Sequence, residues 1–266
     1  MTEKAQKSDN ALASEADLAN VIDKFAGLDI GWVRASQSIY EDLTKAFPTS
    51  IGKAVSKKER EQFQLSSSTL VYGEISFEAF GITLEKIKKI HGKPNVGNTG
   101  PAGCMQDRGG IFYDLGSGTG KAVIAAAILY NFDICCGIEI LEGLYTLSLE
   151  ITSEYNSRGK AKLNREITTD VSMVKGDILD LSVKDWSDGD VIFANSTCFD
   201  DTLMAALANT AGGLKKGTFF ITFTKRLPGT DFVVLEYEMH QMSWGAATVY
   251  IHQKITESTS FVPREV

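Results

Sequence analysis

The residues with the clearest chemical potential stand together in Ile111-Phe-Tyr-Asp-Leu-Gly-Ser-Gly-Thr-Gly-Lys121. An apolar run closes on Asp114, glycines follow at 116, 118 and 120, and a helical pattern opens at once. Glycine at such a turn lets the backbone swing sharply and approach a ligand with no side chain in the way. The helix start beyond it presents unpaired N–H groups. A pyrophosphate loop of the G-x-G-x-x-G type would need its third glycine where Lys121 stands, so this is a different cradle. Three further polar residues end apolar runs downstream: Glu139 after Cys-Cys-Gly-Ile, Asp177 after Val-Lys-Gly, and Asn195 after Ile-Phe-Ala. Glu139, 25 residues beyond Asp114, is spaced to accept from both hydroxyls of a ribose. Asp177 could accept from an adenine amino group, and Asn195 falls where substrate-facing groups belong at a sheet's carboxyl edge. One acid at a strand end is usually a solvated turn residue. Four polar strand ends in register with a glycine loop describe a nucleoside site.

Something must hold those four ends side by side. Ile111–Leu115, Ile134–Ile140, Val171–Val174, Val191–Ala194 and Thr218–Phe223 are short apolar runs rich in β-branched and aromatic residues, most of them separated by helical segments. That alternation predicts parallel strands with right-handed crossovers, an α/β doubly wound sheet. Phe232–Met239 and Thr248–Ile255 follow with no helix between them and predict a C-terminal antiparallel hairpin at one edge. The expected fold is therefore a mostly parallel seven-stranded sheet.

Before the sheet the chain reads as helices. Residues 1–10 read as a disordered start, and Ser14 with Asp17 resembles a capping box ahead of Leu18, Val21, Ile22 and Phe25. Ser38–Ala46 is a second helical stretch, ended by Pro48. Lys53–Arg60 (KAVSKKER) reads as a solvated helix face. Ser76 can cap a helix carrying Phe77, Phe80, Leu84, Ile87 and Ile90. The glycine-rich stretch 92–110 reads as a long loop, a lid or an insertion. The expected division is a helical N-terminal segment over 1–65 and a catalytic domain over 66–266.

Composition narrows the function. Of 266 residues, 43% are hydrophobic and 23% charged, which suits a globular chain with a sizeable core. The N-terminus lacks the apolar h-region of a secretory signal, and no run approaches a membrane span, so an intracellular protein is expected. Four cysteines without CxxC spacing and three histidines argue against a zinc site. The net charge is −7 and the isoelectric point about 5.1. Neither fits the broad basic surface of a nucleic-acid-binding domain, and strong intrinsic binding of nucleic acid is not expected.

The D-x-G-x-G-x-G spacing resembles the first motif of class I S-adenosylmethionine-dependent methyltransferases. With Val71-Tyr-Gly-Glu-Ile-Ser-Phe77 upstream and Asn195-Ser-Thr-Cys-Phe199, Met242-Ser-Trp244 and Tyr250-Ile-His252 downstream, it resembles more narrowly the non-SET histone lysine methyltransferases, the disruptor-of-telomeric-silencing family. The likeness runs over roughly residues 65–255. It implies S-adenosylmethionine as cofactor, with Val71, Tyr72, Gly73 and Glu74 over its methionine part and Asp114, Gly116 and Gly118 along its amino-acid and ribose side. Glu139 would take the ribose, and Asp177 the adenine with Ile178 packed beside it. The acceptor channel would be formed by Asn195, Phe199, Trp244 and Tyr250, and Tyr72 counts with them among the implied catalytic residues. The chain departs from the family at Ile75 (usually threonine), Lys121 (usually glutamine) and Val249 (usually aromatic), and the turn from Trp244 to Tyr250 is shorter. Cofactor binding is expected to survive these changes; they bear on the acceptor.

The implied reaction is methyl transfer to a protein lysine, with a histone as one acceptor and the nucleus then as its location. A small molecule or a non-histone protein is a second acceptor class, and a non-catalytic cofactor-binding scaffold is a third reading. A desolvating aromatic channel would make the lysine neutral without a dedicated base. His252 is expected to be structural. The Tyr-Gly-Glu loop is expected to close over the cofactor as a lid. Removing Glu139 is expected to leave the fold intact.

Overall fold

The computed structural model describes residues 27–64, 70–91, 109–163, 169–242 and 245–258. The expected helix after Ser14, the lid stretch over 92–108 and Trp244 lie outside them.

Strands β1 (Ile111–Leu115), β2 (Ile134–Glu139), β3 (Asp170–Lys175), β4 (Val191–Ala194), β5 (Phe219–Phe223), β6 (Phe232–Met242) and β7 (Gly245–Lys254) form one sheet in the order β3-β2-β1-β4-β5-β7-β6. β3-β2-β1-β4-β5 is parallel, while β7 pairs antiparallel with both β5 and β6. The expected seven-stranded sheet with a terminal antiparallel hairpin is what forms. Every residue of β4 and β5 is buried, as strands covered on both faces must be. The strand order reverses around β1, so the crevice beyond its carboxyl end is the topological switch point where α/β sheets bind ligands.

The helices explain the sheet's cover. α4 (Lys121–Leu129, KAVIAAAIL) is apolar on every side and needs a neighbour on its outer face as well as the sheet beneath. That neighbour is α1 (Ile30–Thr44), which sends Val33 and Leu43 into the cluster holding Ile124, Ile128 and Phe112. The Trp32 indole donates to the Leu129 carbonyl at 3.1 Å. α1 starts eight residues earlier than expected because Asp29 caps it, accepting from the Trp32 N–H. α2 (Thr49–Gln62) follows Pro48 and carries the KAVSKKER run; Lys57 and Lys58 are exposed, but Gly52 and Ser56 face inward. α3 (Phe77–Lys86) begins at the expected cap, where the Ser76 hydroxyl accepts from the Ala79 N–H, and runs into a π turn over Ile87–His91. On its buried side Lys86 reaches β6 and pairs with Glu236 and Glu238. α5 (Glu142–Glu154) and α6 (Asp201–Ala211) complete the layers. The N-terminal helices and the sheet thus share one apolar core.

Candidate functional site

The glycine loop after β1 owes its shape to two restraints. Gly116, Gly118 and Gly120 all have positive φ (81°, 56° and 79°), backbone that a side chain would strain. The Glu139 carboxylate, at the end of the neighbouring strand, accepts from the Gly118 N–H at 2.7 Å and from the Leu141 N–H at 2.8 Å. Those bonds use about half of a carboxylate's acceptor sites and leave the other half for a ligand. Burial raises the Glu139 carboxyl above its ordinary range, opposed by those backbone donors.

Beyond the strand ends opens a cavity of about 420 Å³, within the range of small-molecule sites. Val71, Tyr72, Gly73, Gly116, Gly118, Glu139, Asp177, Ile178, Asn195 and Phe199 all line it. Asp177 spends one oxygen on the Leu179 N–H at 2.9 Å and keeps the other. Glu74 and Asp114 line a smaller recess of about 30 Å³ that shares Tyr72, Gly73 and Gly118 with the main cavity. There the Asp114 carboxyl is buried and one oxygen has no hydrogen-bond partner among the described residues. Burial, with Glu139 adding repulsion, pushes its pKa well above the usual carboxylate range. A buried acid with an open oxygen asks for a ligand cation or donor.

The Tyr72 loop is seated rather than open. Its ring lies between two glycines: a Cβ on Gly52 of α2 or on Gly118 of the loop would stand 2.4 Å from it. The Tyr72 hydroxyl donates to Glu74 and bonds Thr119 Oγ1 at 2.7 Å. Burial and the Glu74 charge push the phenol far above its normal pKa, so it stays a donor. The Asn195 amide donates to the Gly73 carbonyl at 3.0 Å, and its oxygen accepts from the Thr197 hydroxyl. Asn195 therefore ties down the loop as well as lining the cavity.

The structure does not bring Tyr250 to this cavity. It stands on β7 opposite Thr222, tilted over Tyr237 at 5.9 Å between ring centres, and lines a separate hollow with Arg226 and Glu236. His252 is structural: it bonds the Phe220 carbonyl through Nδ1 and accepts from the Leu227 N–H through Nε2, and burial lowers its pKa to about 4. Sequence reasoning missed Lys53, Leu70, Leu144 and Leu203 in the cavity wall, and Thr49 and Lys121 beneath the loop. Lys53 sits in a run read as solvated, and Thr49 reaches Glu74 only by tertiary packing, which no local pattern announces. Among the described residues no group of ligating side chains could hold a metal ion, and no helix is long and apolar enough to cross a membrane.

Comparison with known proteins bears on what this site belongs to. The sequence model of the family described as "Histone methylation protein DOT1" matches residues 102–260. A protein of Debaryomyces hansenii named histone-lysine N-methyltransferase, H3 lysine-79 specific, is 31% identical over 144 residues, which cover 50% of this chain and 12% of that protein. The chain thus spans a small part of that relative's length. Among solved structures, MtNAS in complex with MTA and tNA aligns over 84% of this chain and 76% of its own, with 13% identity and a TM-score of 0.46. TrmN from Thermus thermophilus aligns over 56% and 45%, with 15% identity and a TM-score of 0.44. With its glycine loop, acidic strand ends and three-fifths of its length accounted for by one family, the chain belongs to the DOT1 histone methylation family and carries a class I S-adenosylmethionine-dependent methyltransferase fold.

Proposed function

We propose that this protein transfers a methyl group from S-adenosylmethionine to a lysine of a protein substrate, with a core histone as the acceptor and the nucleus as its place of action. The observation that carries the reading is Asp114: a buried carboxyl with an open oxygen, in a recess continuous with a cavity lined by Glu139 and Asp177. Those residues fit the cofactor. Asp114 would take the ammonium of its amino-acid end, Glu139 the ribose hydroxyls and Asp177 the adenine, with Ile178 packed against the ring. The cofactor, when bound, supplies a methyl group on a sulfonium that is already a good leaving group.

The chain's own share is placement and exclusion of water. Tyr72 and Gly73 cover one side of the cavity, and Phe199, Leu203 and Leu70 give it apolar walls. An exposed lysine with pKa about 10.4 is neutral only about once in a few thousand at pH 7. Apolar walls lower that pKa by desolvating the ammonium, and a neighbouring positive charge pushes the same way. No general base is needed. We assign the acceptor side to Asn195 and Phe199, which line the cavity, and add Trp244 on the motif resemblance alone.

A small-molecule acceptor is the second reading, favoured by the net charge of −7. The two separate in one assay: labelled cofactor with free histones, nucleosomes, a non-histone protein extract and a metabolite extract. Label on a histone lysine is the expected result. Label confined to metabolites would overturn the lysine assignment, and no label anywhere would return the scaffold reading.

A further inference from the structure

The Glu74 carboxylate has no acceptor site left for a ligand. Its Oε1 accepts from the Tyr72 hydroxyl and from Lys121 Nζ at 2.8 Å, while Oε2 accepts from the Thr49 hydroxyl at 2.7 Å and again from Lys121 at 2.8 Å. Those bonds fill the roughly four lone-pair sites of a carboxylate. Both charged partners are withdrawn from water, with side-chain exposures of 9% for Lys121 and 13% for Glu74. An ion pair so placed is held tightly only where geometry and further hydrogen bonds are good, and removing one partner strands the other charge.

The pair joins three separated parts of the chain. Lys121 opens α4 directly after the glycine loop, Glu74 belongs to the segment covering the cavity, and Thr49 opens α2. Tyr72 completes the connection, since its ring touches both Gly52 and Gly118 while its hydroxyl bonds Glu74 and Thr119. Resting on the methyltransferase reading only for what the cavity holds, we propose that Lys121 is a positioning residue: it latches Glu74, and through it Tyr72, so that the 70–76 segment is seated over the cavity before any ligand arrives. Glu74 is then the buckle of the cover rather than a contact to the cofactor. The neutral glutamine usual at position 121 in the resembled family could not supply the charge.

Preorganisation of this kind reduces the ordering cost of binding. It also slows entry and exit, because a seated cover must lift before ligand can pass. Both effects are read on the protein without any turnover. Amide hydrogen exchange of 70–76 would be followed in ligand-free wild type, Lys121→Gln, Lys121→Arg and Thr49→Val, with S-adenosylhomocysteine then added to each. The wild-type segment should be protected without ligand, by at least tenfold over an unstructured peptide. Lys121→Gln should lose most of that protection and regain it on adding S-adenosylhomocysteine, Lys121→Arg should keep it, and Thr49→Val should lose part. Thr49→Val guards against misfolding, since it removes one hydroxyl and no charge. Stopped-flow release of S-adenosylhomocysteine should be faster from Lys121→Gln. A wild-type segment that exchanges freely until ligand is added would overturn the latch. So would Lys121→Gln retaining wild-type protection while folded. Because the exchange is measured without ligand, the latch and the transfer reaction fail separately.

Discussion

Glu139→Ala tests the arrangement at its centre, because one side chain serves both the fold and the ligand. Its two oxygens hold the Gly118 and Leu141 N–H groups at 2.7 and 2.8 Å, both in the interior. Truncation leaves those two donors without partners, at a cost of ~1–3 kcal/mol each. Relief of the carboxylate's own desolvation offsets part of this, and the net loss of folding stability should be about 2–4 kcal/mol. For a chain of this size that is a fall in Tm of roughly 4–16 °C. The sequence alone leads one to expect no cost to the fold; the two backbone bonds predict a measurable one, because the acid at the end of β2 braces the glycine loop it stands beside. Affinity for S-adenosylmethionine should fall further than stability alone explains, by ~1–3 kcal/mol for two hydroxyls losing a charged acceptor. Glu139→Gln, whose amide oxygen can still accept from one N–H, should lie between the two. Urea unfolding with and without ligand, together with titration calorimetry, gives both quantities. Stability of Glu139→Ala within about 0.5 kcal/mol of wild type would show that the loop does not lean on this carboxylate, and unchanged affinity would remove Glu139 from the site.

Asp114→Asn should raise the stability of the ligand-free protein, since it removes a buried acid with an open oxygen, while weakening cofactor binding roughly 10–100-fold by loss of a charged partner; a variant that binds normally would place the cofactor elsewhere. Asn195→Ala should cost cofactor affinity as well as turnover, because its amide holds the Gly73 carbonyl of the covering segment; calorimetry showing wild-type affinity with depressed turnover would assign it to the acceptor alone. His252 has a folded pKa of about 4 against an ordinary 6.5, so its contribution is intact above pH 6.5 and lost as pH falls toward 4. Unfolding at pH 7 and pH 4.5 should differ by about 2–3 kcal/mol more in wild type than in His252→Gln, and equal differences would refute the buried neutral ring. Nucleosome binding by the purified chain should be weak and steeply salt-dependent near 150 mM, because 27 basic residues face 34 acidic ones and phosphate affinity comes from clustered cations; salt-tolerant binding would show that charge balance is the wrong guide.

The cofactor side of the site could be read from the sequence because each of its residues is tied to the end of a strand. Asp114, Glu139, Asp177 and Asn195 follow apolar runs whose pairing is set by crossover rules, so naming the strands places the acids. The acceptor side is different. Motif alone groups Tyr250 with Asn195, yet its position is set by the register of β7 on β5, which puts it opposite Thr222 and toward the outer hairpin. The covering segment was legible as Tyr-Gly-Glu but not its state. Whether it stands open depends on Lys121, Thr49 and Gly52, three residues whose meeting is a matter of tertiary packing alone. The start of α1 was missed for a local reason: Gly31 and Trp32 weaken the helical pattern, and only the Asp29 cap shows where it begins.

That packing also decides what the N-terminal helices are for. A boundary near residue 65 suits the change in pattern, from helices to alternating strands and helices. Buried residues on both sides of it belong to one apolar cluster. Val33 and Leu43 join the apolar cluster that holds α4's Ile124 and Ile128, Thr49 holds Glu74, Gly52 makes room for Tyr72, and Glu59 accepts from the Glu142 and Gly143 N–H groups at 2.8 Å, capping the start of α5 just beyond Glu139. Each of these contacts ends on an element that lines or supports the cavity. A sheet without α1 and α2 would expose an all-apolar α4, leave Tyr72 with one glycine to lean on and strip two donors at α5 of their acceptor. Helices α1 and α2 therefore support one side of the cavity, through Thr49 on Glu74, Gly52 against Tyr72 and Glu59 at the start of α5.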